Sequence, residues 1–253
     1  MLAIALTGCA GQQRIAERAA ETPGDPFEPV NRRILEANDL VDRILIKPIA
    51  QAYVFVVPEV GRAGVKNMLD NMKEPTLFFN NVLQGEFEKA GITAGRFVIN
   101  TAFGIGGLVD LATPSGLKRQ PADFGQTLFV WGLPSGPYLV LPLFGPTTAR
   151  DALGQGVDSY ADPFIILANA HDLTELTTAR LLAGGIDERA DVLDVLDDLH
   201  KNAVDYYAEL RSLTEQHRAA ELGHGTAPAA APSLYTDPDA GSPPPVQPPA
   251  SIH

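Results

Sequence analysis

Cysteine is almost missing from this chain: its 253 residues carry one, Cys9. No internal disulfide can staple the fold, and no cysteine cluster can hold a metal. Histidine is absent from residues 1–170; His171, His200, His217, His224 and His253 all come later. A Cys–His pair, a Ser–His–Asp triad or a His-based metal site among the earlier motifs would need His171 or His200 to fold back onto them. Serine is scarce there too: between Asp25 and Asp151 only Ser115 and Ser135 occur, neither in a Gly-x-Ser-x-Gly elbow. We expect no catalytic residues, no metal and no cofactor. Basic residues are outnumbered, with 19 Lys plus Arg against 31 Asp plus Glu, a net charge of -12 and a pI near 4.8. Such a field repels phosphate backbones, so no nucleic-acid partner is expected. Nor does any stretch approach the roughly 18 consecutive apolar residues that a membrane-spanning helix needs.

What is present is an apolar share of 45%, enough for a sizeable interior. The N-terminus opens on an apolar run that ends Leu6-Thr7-Gly8-Cys9. This resembles a bacterial lipobox, in which the thiol receives lipid, so residues 1–8 read as a signal peptide and Cys9 as the lipidated mature N-terminus. The run is short and lacks a basic flank, as expected of a signal peptide truncated at its start. Ala10 follows, not the Asp that retains lipoproteins at the inner membrane. Three acyl chains would exceed the two signals that stable anchoring takes. Residues 9–24 then form a lipidated tether, 25–222 a single helical domain, and 223–253 a Pro/Ala-rich tail too poor in apolar residues to fold.

Within the domain, apolar residues recur at helical spacing at Ile34, Ala37, Val41 and Ile44, a helix that Lys47-Pro48 is expected to end. A second helix should run from Pro48 to Val57 and a third from Pro58 to Met72. Glu74-Pro75 should open a separate aromatic-rich piece ending at Leu83. Glu86 to Phe103 is apolar over more than half its circumference, which predicts burial or a lipid-facing position. Gly104-Ile105-Gly106-Gly107 reads as a close-packed turn, since a phosphate loop would need Gly-Lys-Ser/Thr and a dinucleotide site a preceding strand. Helices follow at Pro121–Trp131, Thr147–Tyr160 and Asp162–Ala170. Ile186 to Thr214 reads as one helix about 43 Å long, crowded with acids. Its outward face, with Asp191, Asp194 and Asp198, is a candidate dock for a basic partner.

Two further features invite a function. Gly136-Pro137-Tyr138-Leu139-Val140-Leu141-Pro142-Leu143-Phe144-Gly145-Pro146 is a short apolar stretch fenced by glycine and proline. Its alternation suits a short strand or hairpin. Asp110, Asp123 and Asp151 are possible paired carboxylates for acid–base chemistry. The competing reading has Asp123 capping a helix and Asp151 pairing with Arg150.

The ordered series Asp25-Pro26-Phe27-Glu28-Pro29-Val30-Asn31-Arg32, Asn38-Asp39, Asp42-Arg43, Lys47-Pro48, Tyr53, Asn71, Glu74-Pro75, Leu83-Gln84-Gly85, Arg96-Phe97, Asn100-Thr101, Gly104-Ile105-Gly106-Gly107, Asp110, Asp123-Phe124-Gly125-Gln126-Thr127-Leu128, Trp131-Gly132, Gly136-Pro137-Tyr138, Leu141-Pro142, Gly145-Pro146 and Arg150-Asp151 resembles the MlaA/VacJ family of Gram-negative outer-membrane lipoproteins. It spans residues 25–163. The resemblance implies a mainly α-helical, ring-like protein in the periplasmic leaflet of the outer membrane, with an amphipathic channel through it. It implies removal of misplaced phospholipids from the outer leaflet, transfer to a periplasmic lipid carrier, association with trimeric porins, and no catalysis. On that reading Gly136, Pro137, Tyr138, Leu139, Val140, Leu141, Pro142 and Gly145 line or gate the channel. Arg96, Asn100, Asp110 and Arg150 are its polar candidates, and Asp191, Asp194 and Asp198 face the carrier. Two other readings compete: a structural lipoprotein bridging porins, and a tethered hydrolase that uses carboxylates.

Overall fold

The computed structural model describes residues 25–223, and these are mostly helical. Cys9, the tether and the tail after Gly223 lie outside the described residues. No helix among them is long and apolar enough to cross a membrane.

Helix α1, Glu28–Val41, runs through a π-helical turn, Asp42–Ile46, directly into α2, Lys47–Val56. The expected stop at Lys47-Pro48 does not occur. A proline inside a helix removes one bond and collides with the carbonyl four residues earlier. The π turn widens the spiral at that point, and the Lys47 N–H bonds to the Asp42 carbonyl. The widened turn accommodates the ring, so the rod continues.

Helix α3, Glu59–Leu83, is likewise unbroken, with Pro75 inside it. The expected separate piece at Glu74-Pro75 is therefore part of one long helix. A proline there costs about 3 kcal/mol, and packing on α4, Phe87–Ala102, offsets it. Gly85, at φ +78°, reverses the chain between the two. The glycine-rich turn after α4 is tight as expected. A Cβ on Gly104 would sit 2.2 Å from the Val109 carbonyl oxygen, and one on Gly107 would strike Asn71.

Short helix α5, Phe124–Val130, leads to an antiparallel hairpin of β1, Tyr138–Leu141, and β2, Gly145–Thr148, with Tyr138 opposite Thr148 and Leu141 opposite Gly145. Helices α6, Ala149–Ala161, and α7, Pro163–Ala170, follow. Each of the three helices starts on a side-chain cap, Asp123, Thr148 and Asp162 in turn.

The single acidic helix expected from Ile186 to Thr214 is three: α8, Thr174–Asp191, α9, Leu193–Asn202, and α10, Tyr206–Leu222. Aspartate competes for its own backbone and favours helix starts over interiors. Asp205 does so here: it caps α10 by accepting from the Ala208 N–H and is gripped by Arg32 of α1. An apolar core of Leu35, Tyr138, Val140, Leu199, Tyr207 and Leu210 joins α1, the hairpin, α9 and α10.

Candidate functional site

Polar side chains occupy much of the deepest interior of the fold. The largest fully buried side chains are Glu74, Asn31, Asn81, Thr93 and Thr127, all polar. Meanwhile Phe55 is 91% exposed, Val60 86% and Phe103 74%. Val56, Phe87, Ile105, Leu143 and Phe144 are also exposed. Single exposed apolar residues are ordinary, whereas so many, clustered in runs such as Phe55-Val56 and Phe103 to Leu111, mark a surface that meets something other than water.

The polar interior between α3 and α4 is built around Arg96. Its Nε donates to Glu74 at 2.9 Å and its Nη2 to Asp110 at 3.1 Å. Nη1 donates to the Thr113 hydroxyl at 2.8 Å and to the Leu117 carbonyl at 2.6 Å. Asn100 donates to Asp110 at 2.9 Å and accepts the amides of Leu111 and Ala112. Burial would raise Asp110, but hydrogen bonds from the Thr113 hydroxyl and amide and from Asn100, with the Arg96 charge, hold it at about 2. Burial pushes the Glu74 carboxyl above its ordinary value despite Arg96. Arg96 itself stays fully charged, because the bonds to Glu74 and Asp110 outweigh its desolvation.

Arg96, Asn100 and Asp110 are thus brought together in the buried interior beside α3 and α4. Arg150 stands apart: it is buried, paired with Asp151 at 3.0 Å, its guanidinium 5.3 Å from the centre of the Phe129 ring. None of these four lines the cavity of about 520 Å³ that opens between α3, the 118–126 segment, α8 and α10. Its walls carry Lys66, Lys73, Lys118 and Arg119, several acids, and the apolar Leu69, Leu77, Pro121 and Ala122. Three ion pairs cross them: Lys66–Asp191, Lys73–Glu188 and Arg119–Asp70. Asp191 therefore points at Lys66, while Asp194 and Asp198 are exposed on α9.

The possible acid–base carboxylates are also engaged. Asp123 caps α5 and binds Arg218 at 2.7 Å, and Asp151 binds Arg218 at 2.8 Å and the Thr148 hydroxyl at 2.8 Å. Asp151 is held below its ordinary value, since those bonds and the charges of Arg218 and Arg150 overcome burial. Arg218, which ties the last helix to the starts of α5 and α6, carried no sequence signal; a lone arginine in a polar helix has no distinctive pattern.

In the hairpin, Tyr138 and Val140 face the core, each 2% exposed, while the tip residues Leu143 and Phe144 stand out. The outer edge of β1 is closed by helix side chains. Asn31 donates to the Tyr138 carbonyl at 3.1 Å and accepts the Val140 N–H at 3.0 Å. Two helical turns further along α1, Asn38 donates to the Leu141 carbonyl at 2.9 Å and accepts the Leu143 N–H at 2.9 Å. The two amides take the place of a third strand.

Comparison with known proteins fits this arrangement. The family model for the MlaA lipoprotein matches residues 23–221. The chain belongs to the MlaA lipoprotein family. An uncharacterized protein of Rickettsia bellii is 37% identical over 78% of this chain and 76% of its own length. The Intermembrane phospholipid transport system lipoprotein MlaA of Haemophilus influenzae is 37% identical over 64% of this chain and 66% of its own. Its Escherichia coli namesake is 32% identical over 74% of each. A solved structure from work on the maintenance of bacterial outer membrane lipid asymmetry superposes with a TM-score of 0.69 at 30% identity, covering 79% of this chain and all of that one. The helical MlaA fold expected from the motif series is the one observed.

Proposed function

We propose that this MlaA-family chain takes mislocalised phospholipid from the outer leaflet of the outer membrane and passes it to a periplasmic carrier, keeping the two leaflets different. The observation that carries this reading is the placement of polarity: large polar side chains such as Glu74, Asn81 and Arg96 are buried, while Phe55, Val60, Phe87, Phe103, Leu143 and Phe144 are presented outward. Side chains so placed suit a protein seated among acyl chains without spanning the bilayer, and among the described residues no helix is long and apolar enough to span. The energetic problem is large. Exposing about thirty methylenes of a phospholipid to water costs on the order of 20 kcal/mol, and a route with apolar walls and polar stations lowers that barrier. The relatives named as phospholipid transport lipoproteins support the same reading.

On this reading Cys9 carries the anchoring lipid, trimeric porins are neighbours in the membrane, and the hairpin 136–146 lines or gates the route. Asp194 and Asp198 are the exposed acids available to a basic carrier, with Asp191 already committed to Lys66. No catalysis is required, and Asp110, held at about 2, has no proton to give near neutral pH.

The test is mass spectrometry of lipid co-purifying with the membrane-extracted protein, joined to assay of surface phospholipid in cells lacking it. Bound phospholipid and raised outer-leaflet phospholipid are expected. Lipid-free protein together with unaltered surface lipid would overturn the reading. Reversing Asp194 and Asp198 to Lys should weaken transfer to the carrier in a salt-dependent way.

A further inference from the structure

Asn31 and Asn38 make the same pair of bonds to the same strand, but their surroundings differ. Asn31 is 2% exposed, donates also to Asp25, and sits beside the apolar core. Asn38 is half-buried and holds the tip, where nothing from the core reaches. The root of the hairpin is fastened independently: the Ala149 N–H bonds to the Pro137 carbonyl and the Arg150 N–H to the Ser135 carbonyl. The tip is closed by the ladder pair Leu141–Gly145, with no further loop bond from the backbone of residues 142–144, and it is strained. Leu143 lies at φ +68°, a region that a bulky L-residue seldom adopts. Both Leu143 and Phe144 are exposed, at 69% and 68%. Such strain persists only where the surroundings fix the backbone, and the Leu143 N–H is fixed by one side chain, Asn38.

We infer that Asn38 is a positioning residue for lipid passage: its amide holds Leu143 and Phe144 at a set place and orientation at the hairpin tip, where they meet acyl chains. This rests on the proposed lipid route, and it adds a residue that touches no lipid itself. Without the amide, Leu143 relaxes toward an ordinary backbone conformation, the apolar pair loses its fixed presentation, and lipid enters less readily. Asn31 cannot substitute, because its bonds end at Val140.

The test uses the full chain reconstituted in phospholipid nanodiscs, comparing the unsubstituted protein with Asn38→Leu and Asn38→Asp. Hydrogen exchange of individual amides reads the clamp directly. Loss of both bonds should speed exchange at Leu143 by roughly 5- to 30-fold, with Val140, clamped by Asn31, unchanged as the internal control. Asn38→Asp keeps an acceptor for the Leu143 N–H but turns a second acceptor toward the Leu141 carbonyl, so it should fall between the two. Transfer of a fluorescent phospholipid from the nanodiscs to an acceptor should slow in the same order. Unchanged exchange at Leu143 in Asn38→Leu overturns the proposal. Faster exchange with unchanged lipid transfer overturns it as well, reducing Asn38 to a local structural contact. If Asn38→Leu loses Val140 protection, its fold is compromised, and Asn38→Asp decides by the same two readings. If the unsubstituted protein transfers no lipid while Leu143 is protected, the lipid route fails and this inference falls with it, with the clamp itself intact.

Discussion

Two halves of this molecule are held together by opposite means. Where α1, the hairpin, α9 and α10 meet, Leu35, Tyr138, Val140, Leu199, Tyr207 and Leu210 form an apolar core like that of a soluble domain. Where α3 meets α4, Glu74, Arg96, Asn100, Asn81 and Thr93 are buried beside Leu69, Leu77 and Ala90, and many large apolar side chains of the region lie on the outside. The first half gains stability by taking hydrocarbon out of water. The second cannot, if its outside is hydrocarbon already, and must use directional bonds between buried polar groups instead. The contrast explains how one chain keeps a single fold while exposing so much apolar surface.

The sharpest way to break the comparison is at Arg96. Arg96→Leu leaves Glu74 buried without its partner, and removing one member of a buried pair costs ~3–5 kcal/mol. Replacing both, Glu74→Leu with Arg96→Leu, should recover much of that, because buried pairs are often near neutral against apolar groups of similar size. Chemical denaturation in detergent would measure both; a double variant no better than the single would show that Asp110 and Thr113 are the partners that matter. In the apolar half, Leu210→Ala should cost ~2–5 kcal/mol, with no second substitution able to restore it by charge balance.

Acid sharpens the comparison next. Asp110 has a folded-state pKa of about 2, below its ordinary 3.8. Its stabilisation is therefore complete above the ordinary value and is lost as the pH falls through about 2. Asp110→Asn should flatten that part of the acid-unfolding curve, while Leu210→Ala should lower the curve without changing its shape. A curve unchanged by Asp110→Asn would mean the network does not depend on this carboxylate's charge.

Sequence reasoning reached some of this and missed the rest for identifiable reasons. The hairpin, the tight Gly104–Gly107 turn, the capping role of Asp123 and the Arg150–Asp151 pair were legible, because each depends on residues near one another in the chain. Helix continuity through Pro48 and Pro75 was not, since a π turn and the packing of α4 override a local rule. The breaks at Val192 and at 203–205 were hidden by a helical period that continues across them, while Asp205 is held by Arg32, far away in sequence. Buried Glu74 looked like a turn signal beside a proline. The cavity lining was beyond reach because α8 and α10, which close it, carry no motif. The clamp had a trace in Asn31 and Asn38, two turns apart on a helix otherwise patterned as amphipathic, but its partner strand lies far along the chain.

The smallest effect concerns the seam between the cavity's walls. Lys66–Asp191 and Lys73–Glu188 join α3 to α8, and Glu188 is 70% exposed in its side chain. Pairs in such wet settings contribute roughly 0–1 kcal/mol each and weaken with salt. Double-mutant cycles on Lys73 and Glu188 should therefore return a coupling below ~1 kcal/mol at physiological ionic strength. These two pairs are therefore not what fixes α8: Arg189 with Asp42 at 2.7 Å, Tyr53 with Asp187 at 3.0 Å and Arg180 with the Met72 carbonyl at 3.4 Å tie it to the π turn, α2 and α3. A coupling comparable to that of Arg96 with Glu74 would instead make this exposed seam a structural fastening of α8 in its own right.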